Sequence, residues 1–351
     1  MTAAGDLRLQ RVYFDCRRCA QGAYAADQRL GIESGHTCRA RRLICLAASS
    51  WSFAGASDHL REFCGLQVSA GTVRKVCHVE AGKVEAWQNN TPQAGEKFAK
   101  SPGEIEFVTD GTCVNTMQGW KEMRVGVFSK RKRGEAVTPD KWDQRKLPAV
   151  TVRQAFAAVE SADEFAARWP RVASRIGIRS RDRIDVVADG ARWIWDRVST
   201  YWPTAEGALD IYHALEHVAA TAKALHGEGT AETKGWNDQA RDALLVEGYA
   251  GIQRLIERTQ PIAVRAGQRD SLAGLEAYLR PHQARRLNYA QRLAEGRVIG
   301  SGQVEGACKH WIGRRLKQTG ARWQIHRANR MATLCSLKYT HQWDTYWSTA
   351  A

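Results

Sequence analysis

The chain has 351 residues and a formal charge of +15, from 52 Lys and Arg against 37 Asp and Glu. That length allows a large core and two or three domains, and the positive excess favours a polyanionic partner, since each cation placed on a phosphate releases counterions. No uncharged apolar run approaches ~18 residues and the opening Met1-Thr-Ala-Ala carries no apolar signal core, so secretion and membrane insertion are not expected. Nine cysteines, an odd number, read as reduced thiols in a cytoplasmic setting.

Residues 1–50 form a basic N-terminal segment whose first feature is Cys16-Arg-Arg-Cys19. This is a zinc-knuckle spacing, but a tetrahedral site needs two more ligands, and His36, Cys38 and Cys45 make no second tidy pair. The expectation is a partial zinc ribbon on Cys16 and Cys19, with buried free thiols as the alternative. Residues 51–95 read as helix, turn, helix. Phe53, Ala56, Leu60 and Phe63 recur at helical spacing, Gly65–Val68 turns the chain, and Ser69 caps a second helix through Val73 and Val76. Arg74, Lys75 and His78 would lie on its exposed side, as in a helix set into the major groove; a plain helical hairpin is the alternative.

Residues 100–205 alternate strand and helix signals. Glu104–Thr109 is a strand closing at Asp110-Gly, followed by an apolar run from Trp120 to Phe128. The basic stretch Lys130–Arg133 reads as a solvated tip, and Ala149–Phe156 as a third strand. Ser161-Ala-Asp-Glu164 is a capping box, Ile184–Ala188 a strand closing at Asp189-Gly, and Ala191–Tyr201 a helix. Strand, hairpin, strand, helix, strand is the order of an RNase H-like mixed sheet, so the fold class expected is α/β. Residues 206–296 read as an all-helical insertion. Residues 297–351 return to the core as helices that carry a third acid, Glu305, and are rich in positive charge.

Two Asp-Gly strand ends and one glutamate at a helix start suit a two-metal phosphoryl-transfer site, because hard cations gather several carboxylate oxygens from separate elements. Asp-Gly turns and a helix-dipole acid are the ordinary alternatives. Glycines 300, 302 and 306 favour close approach of a backbone or ligand near Glu305. A strand-to-helix transition at Ala208–His213 would place the histidine of Asp210-Ile-Tyr-His213 near the same sheet edge, where it could orient a phosphate; a satisfied core histidine is the alternative. From Gly306 to Trp343 there is no Asp or Glu, and Lys309, Arg314, Arg315, Lys317 and Arg322 would lie along phosphates.

At Val108-Thr-Asp110-Gly-Thr, Val187-Ala-Asp189-Gly-Ala-Arg-Trp-Ile-Trp, Asp210-Ile-Tyr-His213, Gly300-Ser-Gly-Gln-Val-Glu305-Gly-Ala-Cys-Lys and Arg314-Arg-Leu-Lys-Gln-Thr-Gly-Ala-Arg-Trp323, the chain resembles DDE transposases of bacterial insertion sequences, most closely the ISKra group. Its DxxH is also similar to that of Mutator-like transposases. The resemblance covers nearly the whole chain and implies an RNase H-like catalytic core with a helical insertion. It also implies Asp110, Asp189 and Glu305 as ligands of Mg²⁺ or Mn²⁺. In that family the N-terminus tends to be longer and to carry a further CxxC, whereas this sequence starts close to Cys16. The function expected is strand cleavage at terminal inverted repeats and transfer into target DNA, by a homo-oligomer on the nucleoid. An RNase H-like nuclease or resolvase, and a non-catalytic DNA-binding remnant, are the other readings.

Overall fold

The computed structural model describes residues 1–4, 7–284 and 286–350. A small antiparallel ribbon comes first, β1 (Tyr13–Cys16) paired with β2 (Gln21–Tyr24). Helices Cys38–Ala48, Phe53–Cys64 and Ala70–Asn90 follow. The last two are joined by a turn, as the spacing of their apolar residues predicts. Gly65 at φ 64° ends the first, and the Thr72 N–H donates to Ser69 Oγ at 3.1 Å to start the second.

Five strands form the central sheet: β3 (Glu104–Thr116), β4 (Gly119–Arg131), β5 (Val152–Ala158), β6 (Ile184–Ala188) and β7 (Glu206–Leu209). Their order is β5-β4-β3-β6-β7. β4 runs antiparallel to β3 and β5, while β3, β6 and β7 run parallel. The architecture is therefore α/β with a mixed sheet.

Three expectations about this sheet need correction. β3 does not end at Asp110. Thr112, Val114 and Thr116 keep the β-branched alternation going, and the strand pairs residue by residue with Gly119–Met123 up to a turn at Met117-Gln118. Lys130–Arg133 is a solvated tip only in part, since Lys130 and Arg131 are the last residues of β4 while Lys132 and Arg133 are exposed beyond it. Arg131 Nε donates to Glu106 at 3.0 Å, Arg133 Nε to Glu104 at 2.7 Å, and Lys130 Nζ to the carbonyl of Ser101 at 2.9 Å. Residues 206–209 are a short parallel edge strand, not helix.

The alternation of β3 separates two cores. Phe107, with Phe128, Trp169 and Trp202, packs on one face under the capping-box helix Ala162–Ala166 and the helix Arg192–Tyr201. Val108 and Val114 face the other way, into a core shared with the N-terminal helices and with helix Ile325–Tyr339. Helix Ile325–Tyr339 lies between β5 and helix Ala70–Asn90. Beyond β7, helices Ile211–His226, Ala231–Glu247, Tyr249–Thr259 and Ala266–Leu279 enclose an apolar core of their own. Among the described residues no helix is long and apolar enough to cross a membrane.

Candidate active site

Parallel pairing brings the two aspartates together. Thr109 is in register with Ala188, so Asp110 and Asp189, the next residue in each chain segment, stand side by side where β6 ends. Both are half-buried. Asp110 Oδ1 accepts from the Gly111 N–H at 2.6 Å, and Asp189 Oδ1 accepts from the Ala191 N–H at 3.0 Å. The latter bond steers the chain into the helix Arg192–Tyr201. Burial raises the Asp110 carboxyl above its ordinary value. The Gly111 N–H and the charge of His213 oppose that rise, and the charges of Asp189 and Asp210 add to it.

Asp210 follows β7 and caps helix Ile211–His226 through the Tyr212 N–H at 2.9 Å. Its other oxygen accepts from the Ser301 N–H at 3.2 Å, from the Ser301 hydroxyl, and from His213 Nδ1 at 3.1 Å. Burial alone would raise this carboxyl, but the bonds from His213, Ser301 and Tyr212 hold it below the ordinary value. The same bond from His213, against an opposing effect of burial, pushes the imidazole up to about 9, helped by the charges of Asp210, Asp110 and Glu216. His213 is therefore a cation near neutral pH, facing Asp110.

A buried ionic clamp delivers the third segment. Asp185 in β6 accepts from Arg297 Nε at 2.9 Å and from Arg292 Nη1 at 3.3 Å, and the Ile211 N–H donates to the Ile299 carbonyl at 3.0 Å. Residues 297–301 are thereby fixed beside β7. Helix Gly302–Ala307 then packs across β3 and β4. Of the three glycines expected to permit close approach of a backbone or ligand, Gly300 admits a neighbouring side chain of the protein itself. A Cβ there would stand 2.6 Å from the Tyr212 ring, while Gly302 and Gly306 face open space.

Glu305 lies in the first turn of this helix, as expected, but exposed and paired with Lys309 at 2.6 Å. Cys308, three residues on, is buried and feels the charges of both Asp110 and Glu305. Burial, and then the charge of Asp110 and of Glu305, push this thiol up to about 12. Among the described residues no three His, Cys, Asp or Glu side chains are gathered closely enough to hold a metal ion. The site thus offers two adjacent carboxylates, with Glu305 exposed on the helix that packs across β3 and β4.

Sequence reasoning missed Tyr278 and Ser301. Tyr278 comes from helix Ala266–Leu279 and stacks on His217 with ring centroids 3.8 Å apart. A Cβ on Gly190 would meet its ring at 2.3 Å, so the glycine after Asp189 admits the tyrosine. The only trace of this in the sequence is Gly190 itself. Ser301, flanked by Gly300 and Gly302, had a comparable signal.

The basic candidates divide. Arg74, Lys75, Lys309, Arg314, Lys317 and Arg322 are exposed, and Lys317 Nζ donates to Thr112 Oγ1 of β3. Arg315 is a correction, at 2% exposure. The C-terminal charges do not lie along one continuous helix. A π-helical turn, Cys308–Gly313, and a loop at 317–324 interrupt it and rotate Arg315 inward. Its Nε donates to the Ala48 carbonyl at 2.5 Å, and its guanidinium lies over the rings of Phe53 and Trp323 at 4.7 and 4.9 Å. His78 is also turned inward, with its ring 6.0 Å from that of Phe53. Cys16 and Cys19 are exposed at the tip of the β1–β2 ribbon, not buried. The backbone N–H of Cys19, with its thiol and the Arg18 N–H, lowers the Cys16 thiol below its ordinary value.

A family model described as Uncharacterised protein family (UPF0236) matches residues 1–342, and the chain belongs to that family. No curated protein matches it.

Proposed function

We propose that this UPF0236 member is a DNA transposase of the DDE type with an RNase H-like core. On this reading it hydrolyses a phosphodiester at an element end and joins the freed 3′-OH to target DNA. The observation that carries the reading is the pair Asp110 and Asp189. They stand at neighbouring positions of two parallel strands, in a five-stranded mixed sheet whose central strand is the first of the five.

The donor set suits Mg²⁺ or Mn²⁺ in part. Asp110 and Asp189 offer hard oxygen ligands in a half-buried cleft, as such ions require. Glu305 completes the set only by turning from Lys309, a rotation that its exposed position allows. Ions bound there would supply activation of water and neutralisation of phosphate charge. The chain's own groups orient the substrate. Asp210 keeps His213 protonated, which sets a positive charge beside Asp110 for a phosphate oxygen. Ser301 fixes the Asp210 carboxylate, and so the direction of the imidazole. Lys309, once released by Glu305, and Lys317 line the way for the phosphates of the strand.

The test is incubation of the purified protein with Mg²⁺ and DNA bearing the element ends. The expected result is cleavage followed by joining. Asp110→Asn should abolish both while leaving most DNA binding intact, since affinity resides in Lys and Arg. Cleavage without joining would indicate a nuclease, and cleavage by the variant would refute the site.

A further inference from the structure

A cavity of about 390 Å³ opens between helices Phe53–Cys64 and Ala70–Asn90 and the loop 317–324. Arg74, Arg322 and Arg327 stand on its wall, and no Asp or Glu is among its lining residues. Phe53 and Trp323 form an aromatic corner, with ring centroids 6.0 Å apart at 74°. Arg315 lies behind them, 2% exposed, and its Nη2 has no hydrogen-bond partner among the described residues. Both ring nitrogens of His78, on the same lining, are also buried without partners among the described residues. Buried polar atoms are nearly always satisfied, so these unpaired atoms, a guanidinium N–H and the two nitrogens of an imidazole, point to a ligand.

The chemistry of the lining narrows that ligand. Several guanidinium groups without a counter-acid select an anion, and arginine with aromatic rings is the combination that takes a phosphate and a base together. The volume suits one nucleotide and excludes a duplex. The cavity's place also matters. The Trp323 N–H donates to the Asn115 carbonyl at 3.0 Å, and the Met117 N–H to the Trp323 carbonyl at 2.8 Å, which ties the loop to the end of β3. That end lies about 20 Å along the extended strand from Asp110. Lys317, bonded to Thr112, sits between the two.

We infer that this cavity holds one unpaired nucleotide of a DNA strand, its phosphate on Arg74, Arg322 and Arg327 and its base against the corner of Phe53 and Trp323. The inference rests on the proposed action on DNA and adds to it a site for the single-stranded end beyond the cleft. The full chain is titrated with two labelled duplexes that differ only in a short single-stranded overhang. The overhang should tighten binding about tenfold, the scale of one base stacked on an aromatic ring. An abasic overhang should lose that gain, and Phe53→Leu and Arg327→Gln should each remove the preference. In the unaltered protein, a photoreactive uracil in the overhang should crosslink to the peptide containing Phe53 or Trp323, which guards against a variant that merely misfolds. Equal affinity for the two duplexes, or a crosslink elsewhere, overturns the cavity assignment alone if cleavage at Asp110 persists. Absence of any DNA binding overturns the proposed function with it.

Discussion

Asp210 Oδ2 lies 3.1 Å from His213 Nδ1, across the first turn of helix Ile211–His226, with the carboxylate only 2% exposed. The burial of one partner gives the pair its strength. A charge shut away from water is stabilised by few groups, and here the imidazolium is one of them. The same carboxylate is bound by Ser301, so two chain segments 91 residues apart share its orientation.

Asp210→Asn should therefore let the His213 imidazole fall from about 9 toward its ordinary 6.5. An amide cannot stabilise the cation by charge, although it can still accept a hydrogen bond. Titration of the ring by NMR measures this directly. An imidazole that still titrates near 9 in the variant would assign the effect to Asp110 and Glu216 instead.

Arg314 and Arg315 are neighbours in sequence and should behave oppositely. Arg314 is exposed, and on the proposed function Arg314→Ala should flatten the salt dependence of DNA binding by about one unit, the loss of one phosphate contact. Arg315→Ala should instead destabilise the fold by on the order of 2–4 kcal/mol, since it removes two ring contacts and leaves the Ala48 carbonyl unpaired. Urea denaturation of the two variants separates these outcomes. Equal stability of Arg315→Ala and the parent would show that the buried guanidinium is not structural.

His78 gives a pH dependence of stability whose sign is fixed. Burial first, then the charges of Arg327, Arg330, His326 and Arg74, lower its imidazole from 6.5 to about 4, so folding favours the neutral ring. The stabilisation is present above about pH 6.5 and is lost as pH falls from there toward about 4. Allowing for partial exposure of the ring, the loss should be on the order of 1–2 kcal/mol across that window. Replacement by a group that cannot titrate, His78→Phe, should flatten the profile. Parallel denaturation curves near neutrality and near pH 5 decide it, and an identical slope for both proteins would rule the residue out.

Much of the sheet was legible because its strands carry their own signal. Ile184–Ala188 is apolar at every position but Asp185, close to the continuous apolar run of a strand buried on both faces. The capping box at Ser161 and the cap at Ser69 were equally local. Only the end of β7 is legible, in the strand-to-helix transition at Ala208–His213, since Glu206-Gly-Ala-Leu209 has neither length nor β-branching and gains its pairing from the edge of β6. The adjacency of Asp110 and Asp189 followed from strand order, whereas the continuation of β3 past Asp110 depends on its pairing with β4. Arg315 was misjudged for a related reason. Its direction depends on the π-helical turn before it and on Phe53 and Trp323, residues distant from each other in sequence. Tyr278 enters the cleft from another element, and no local pattern announces such an arrival.

The N-terminal helices and the C-terminal helix Ile325–Tyr339 share one apolar core with the face of the sheet that carries Val108 and Val114. A reading head on a flexible tether can accept variable spacing between the sequence that it grips and the bond that it breaks. Here helix Ala70–Asn90 packs on helix Ile325–Tyr339, which packs in turn on β5, so that packed side chains connect it to the sheet. On the proposed function, the protein would act as a ruler: insertion of a few base pairs between the gripped sequence and the cut site should rotate and displace the bond out of reach of Asp110, and no movement of a linker could make good the difference.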